Sequence, residues 1–225
     1  MSLNLPVIKL LVAKDWQLFQ KQLALYVLAG IVALAFLGLA RPWAFYVGSL
    51  MLLIVMVSVA CFSIATSLVT ERKEKTLAFV MSLPVSPLDF TVAKLAGNLL
   101  TFAVPFLLIA GGTVAVVLMT PLPDGLFVYA LLIFGYVLFA FSVSLAVAMS
   151  VESEGWVTFT MIGTMVLLNP YIMGLGQVPG ISTHVARDAI VWTPEATGLL
   201  AVLVVLSAVV LAATAWVHAR KPAFY

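Results

Sequence analysis

Six runs without a single Asp, Glu, Lys or Arg dominate the chain: Gln22–Ala40, Pro42–Thr70, Leu95–Pro123, Gly125–Val151, Gly155–Ala186 and Ala196–Val217. A helix needs about 20 predominantly apolar residues to cross a hydrocarbon core roughly 30 Å thick. Each run is of that order or longer. None alternates with period two, so a transmembrane barrel is disfavoured. Hydrocarbon offers the backbone no hydrogen-bond partner, and long apolar runs must therefore satisfy themselves as helices. The bulk composition agrees: 64% of residues are hydrophobic and 9% charged, whereas a soluble domain carries about 25% charge. The expectation is an all-α, polytopic membrane protein forming a single domain over residues 1–225. Its spans are expected at 22–40, 43–69, 88–119, 125–150, 155–172 and 194–217.

Lys and Arg give the orientation. Lys9, Lys14 and Lys21 precede the first span, and Arg72, Lys73, Lys75 and Lys94 lie between the second and third. Arg220 and Lys221 follow the sixth, while Arg41 and Arg187 fall on the other side. By the positive-inside rule both termini and the stretch around residues 70–94 face the cytoplasm. The first run ends in small residues, Gly38 and Ala40, but a lysine-bearing segment longer than a usual signal n-region precedes it. It is expected to be a retained span. Residues 1–21 are expected to hold an amphipathic interfacial helix, with Trp16 at headgroup depth and lysines toward anionic lipid.

Local breakers shape the rest. Pro105 followed by Gly111 and Gly112 predicts a kink in the third span. Small residues at spacing four in the fourth, Ala140, Ser144 and Ala148, predict close helix packing. Asn169–Pro170 is expected to end the fifth span, leaving 171–194 as a structured loop. Thr193, Pro194 and Glu195 carry the cap, first-turn proline and acidic residue of a helix start.

Several chemistries are missing. The histidines, His184 and His218, fall on opposite sides of the membrane, and Cys61 lies within the second span. No His/Cys metal cluster or H-E-x-x-H motif can form from them. There is no G-x-x-x-x-G-K-[ST] nucleotide loop. No acidic or basic side chain is expected in the middle of a span, which lowers the case for an ion-coupled carrier. A membrane-embedded lipid-modifying enzyme would need clustered catalytic side chains that the chain lacks.

The densest charge lies in Thr70–Lys94, TERKEKTLAFVMSLPVSPLDFTVAK. Glu71 and Lys75 are four apart, in the order that favours an ion pair on a helix. Leu77, Val80 and Met81 form an apolar stripe. Leu83–Pro84 stops the helix. Ser86, Pro87 and Asp89 then start a new one. The pattern is helix, break, helix.

This stretch resembles the cytoplasmic loop of ABC-2 type transporter permeases, which place E-R-x-x-x-T-L and L-P-V-S segments between spans 2 and 3, followed by a K-L pair. The matching residues are Glu71–Arg72, Thr76–Leu77, Ser82–Leu83–Pro84–Val85–Ser86 and Lys94–Leu95. Lys75, Pro87–Leu88 and the acidic second loop Glu152–Ser153–Glu154 depart from the family pattern.

The resemblance implies a non-enzymatic transport subunit in a prokaryotic plasma membrane, the inner membrane if Gram-negative. It would be an exporter of apolar or amphiphilic cargo such as lipid, drug or peptide. The implied partners are a separate ABC-type ATP-binding subunit and a second permease copy, identical or paralogous. They also include membrane lipid and exclude nucleic acid. ATP and Mg would be bound by the partner, with no cofactor in this chain. Glu71, Arg72, Glu74, Lys75, Thr76 and Leu77 would seat a coupling helix on the ATPase. Leu83 and Pro84 would set its angle to span 3, and Glu152 and Glu154 would add a second contact. A path between two copies would draw on Met56, Phe62, Phe159 and Asn169. The alternative is a ligand-capture subunit or small carrier not coupled directly to an ATPase.

Overall fold

The computed structural model describes residues 4–69 and 87–219. Among these the regular structure is entirely helical. The elements are α1 (Leu5–Gly38), α2 (Pro42–Ile64) continued by a π-helical turn (Ala65–Val69), α3 (Pro87–Met119), α4 (Leu126–Ser150), α5 (Glu154–Val166), α6 (Leu168–Gln177), α7 (Pro179–Ser182) and α8 (Pro194–Ala219). Six helices are long and apolar enough to cross a membrane, with α5 and α6 together making the fifth.

Two expectations change. The interfacial helix at 1–21 and the span at 22–40 are one uninterrupted helix, α1. Between Pro6 and Gly30 the sequence has neither glycine nor proline to break it. Pro170 does not end the fifth span. The helix breaks earlier, at Leu167, resumes as α6 and runs to Gln177, beyond the expected end at 172. Proline cannot donate to the carbonyl four residues back, so the ladder fails at Val166. A proline in the first turn of the following helix costs nothing, because those N–H groups lack intrahelical partners anyway.

Other local readings survive. Ala196 N donates to Thr193 Oγ1 at 3.3 Å, and α8 begins at Pro194. α3 is unbroken through Pro105, where the sequence predicts a kink. Ala140, Ser142, Ser144 and Ala148 are buried on α4, where their small size lets neighbouring helices close in.

α1 packs along α2 and α3, and α4 packs along α5 and α8. The two groups meet in one apolar core where Phe102 of α3 stacks on Phe141 of α4, centroids 3.9 Å apart. Close approach needs glycine at Gly48 of α2. A Cβ there would sit 2.9 Å from Ala33 O and 2.7 Å from Leu37 N, both backbone atoms of α1. Outside the core, Leu28, Ile31, Tyr46, Leu107, Val205 and Trp216 are each more than half exposed. That continuous apolar exterior suits hydrocarbon rather than water.

The order of the six long helices places the start of α1, the end of the π-helical turn, the start of α3, the α4–α5 connection and the end of α8 at one end of the bundle, here termed the charged end. At the far end, Gly125 N donates to Arg187 O at 2.9 Å and Phe127 meets Trp192 edge-on at 6.3 Å. These contacts dock the 120–125 turn against the segment leading into α8.

Candidate functional site

The residues that carry the charged stretch's resemblance, Glu71, Arg72, Glu74, Lys75, Thr76, Leu77, Leu83 and Pro84, lie outside the described residues. Both of its flanks are described, and both end in buried polar side chains.

On the downstream flank, α3 buries Asp89, Thr91, Lys94, Asn98 and Thr101 over its first four turns. Helical spacing puts Lys94, Asn98 and Thr101 on one face. Lys94 Nζ meets Asp15 Oδ2 of α1 at 3.0 Å, with both side chains about 5% exposed. Lys14 adds a longer, more exposed approach to Asp15 at 3.6 Å. Position 97, one turn from Lys94, is glycine and faces the pair: a Cβ there would stand 3.4 Å from Asp15 Oδ2, an ordinary contact. Asp89 Oδ1 accepts from Asn4 N at 2.9 Å, tying the start of α1 to the start of α3.

On the upstream flank, α2 widens into the π-helical turn Ala65–Val69. Such turns occur mostly as local bulges and are frequent at functional sites. The turn presents Ser67, whose Oγ accepts from Asn98 Nδ2 at 3.0 Å. The same amide donates to Lys94 O at 2.9 Å. Asn98 thus joins the end of α2 to the Lys94–Asp15 pair. Its Oδ1 and the buried Ser63 Oγ have no hydrogen-bond partner among the described residues.

A second tie joins the same end. His218 near the end of α8 is buried, with Nδ1 2.9 Å from Thr214 O and Nε2 2.8 Å from Met149 O. Met149 lies in the last turn of α4, where carbonyls lack intrahelical partners. An N–H of His218 supplies one. Just beyond it, Glu152 is exposed in the connection and Glu154 is the half-buried first residue of α5.

The expected path residues are not brought together. Met56 is buried and lines an apolar cavity toward the far end. Phe62 packs between Phe19 and Tyr26 of α1. Phe159 is exposed beside Trp156, and Asn169 is exposed on α6. The sequence reading passed over Asp15, Ser67 and Asn98. One signal was available: Asn98 is an amide within an otherwise apolar run, a few residues from Lys94.

Chemically, the cluster is a linkage. It joins three helices through directed bonds, and two of those helices emerge into residues 70–86. Among the described residues no group of three His, Cys, Asp or Glu stands close enough to hold a metal. Comparison with known proteins returns no matching family model, no matching curated protein and no matching solved structure.

Proposed function

We propose that this chain is the membrane-spanning permease subunit of an ATP-driven transporter of the ABC-2 type. It works with a second permease copy and a separate ATP-binding subunit that holds ATP and Mg. The charged end faces the cytoplasm of a prokaryotic cell, as the Lys and Arg distribution favours. Residues 70–86 receive the ATPase, and Glu152 and Glu154 stand at the same end to add a second contact. The cargo is apolar or amphiphilic and leaves the cell.

One observation carries this reading. The stretch with the family-like E-R-x-x-x-T-L and L-P-V-S pattern is flanked on both sides by buried side-chain bonds, Ser67–Asn98 before it and Lys94–Asp15 after it. A loop that only enforces topology needs no such anchorage. A loop that transmits force does, because motion passes between elements through packed and hydrogen-bonded contacts.

The test is co-purification with a P-loop ATPase encoded beside the gene, followed by ATP-dependent transport in vesicles. Glu71→Ala combined with Arg72→Ala is expected to weaken assembly about tenfold, equivalent to about 1.4 kcal/mol at the contact. Transport should fall with it. Unchanged assembly and unchanged transport in that double variant would overturn the coupling role.

A further inference from the structure

An apolar cavity of about 220 Å³ lies toward the far end, between the α1–α2 hairpin, α3, α4 and α6. Leu37, Leu52, Met56, Val117 and Phe134 form much of its wall. Its few hydroxyls include Thr113 and Tyr129, which donate to Ile109 O at 2.9 Å and Ile172 O at 3.4 Å respectively. The lining residues Phe45, Leu53 and Ile172 are only half-buried, so the cavity communicates with the apolar exterior. It exceeds the roughly 150 Å³ apolar cavity that stays dry and accepts a benzene-sized guest. In a membrane the drive to fill it is not hydrophobic, since lipid tails are as apolar as the wall. The drive is the dispersion energy that lining atoms forfeit against empty space.

The position of one cation narrows the occupant. Arg41 precedes α2, and Phe45 N donates to its carbonyl at 2.9 Å. Arg41 therefore stands one helical turn, about 6 Å along the axis, beyond the cavity wall at Phe45. It is exposed and makes no ion pair among the described residues. An apolar slot with the unpaired Arg41 one turn beyond its wall, and Arg187 on the segment docked at Gly125 beside the lining residue Leu126, matches a phospholipid, tail in the slot and phosphate at its mouth.

We propose that this cavity binds one phospholipid, an acyl chain inserted among α2, α3 and α4 and its phosphate held by Arg41. The site requires only that the six helices lie in a bilayer. It does not depend on coupling to an ATPase.

The experiment uses the full chain, reconstituted in nanodiscs of phosphatidylcholine and phosphatidylglycerol, then released into detergent for native mass spectrometry. Wild type should retain one phospholipid per chain through washes that strip bulk lipid. Ala130→Phe, which projects a ring into the cavity, should reduce retention about tenfold or more as the void disappears. Arg41→Gln should reduce it about fivefold, near the worth of one basic residue at a lipid surface, and abolish any preference for phosphatidylglycerol. Ser49→Leu is the milder filling variant should Ala130→Phe fail to fold. Retention at the wild-type level in a folded filling variant overturns the proposal. So does a wild-type chain that washes free of phospholipid. Loss in the filling variants with no effect of Arg41→Gln overturns the headgroup assignment and with it the phospholipid.

Discussion

At the charged end, Lys94, Asp15, Asn98 and Ser67 meet through directed hydrogen bonds of 2.9–3.0 Å. At the far end, α1 and α2 meet through Gly48 against backbone, and the neighbouring space is left as an apolar cavity. The contrast separates two ways of holding membrane helices together. Polar bonds specify which atoms meet and leave discrete alternatives when they break, whereas apolar contact among lipid-like side chains specifies only shape. A region meant to pass on a displacement gains from the first kind. A region meant to admit a flexible chain gains from the second.

The largest expected effect lies at the charged end. Lys94→Met leaves the Asp15 carboxylate buried without its nearest cation and should cost about 3–5 kcal/mol in stability. Thermal unfolding in detergent would register this as a marked drop in midpoint. Pairing it with Asp15→Leu should recover most of the loss, because two apolar side chains replace two charges. If the single variant is harmless, the directed network is not what holds this end.

At the far end, Gly48→Val should cost about 1–3 kcal/mol by pushing α1 away from α2. No second-site charge change should rescue it, which is the mark of a shape contact. The same unfolding assay reads it. Rescue by enlarging the space instead, for example with Leu37→Ala, would sharpen the assignment.

The smallest effect is a gain. Ala40, in the turn between α1 and α2, has φ 49°, the left-handed region. This conformation costs a non-glycine residue about 1–2 kcal/mol. Ala40→Gly should return about 1 kcal/mol, reduced by the added freedom of the unfolded chain. A lower unfolding midpoint for this variant would show that the turn's geometry is set by something other than local strain.

Much of the fold was legible in the run lengths. A charge-free run of some 20 residues has one low-energy form in hydrocarbon, and caps such as Thr193–Pro194 act over three or four residues. Features that depend on two distant segments were not legible. Asp15 and Lys94 are separated by 79 positions, and both lie outside the charge-free runs. In sequence Lys94 counts only as one of the charges between spans 2 and 3, and Asp15 only as a polar residue of the expected interfacial helix; their pairing exists because α1 and α3 lie side by side. The continuity of α1 was missed for a related reason: amphipathic character in its first half suggested a change of direction, but no residue there interrupts the hydrogen-bond ladder. Pro170 was recognised as a breaker, yet its effect falls at its missing partner, Val166, and not at the proline.

The sequence alone determined that the described chain is helical, that six of its helices can cross a membrane, and that charge concentrates between the second and third. Those properties follow from backbone hydrogen bonding and transfer energies, which act residue by residue. Only the tertiary structure decided that a π-helical turn delivers Ser67 to Asn98, that Asp15 of α1 meets Lys94 of α3, and that an apolar void opens near Arg41. These depend on the mutual placement of separate helices, which is a matter of packing geometry that no single segment encodes.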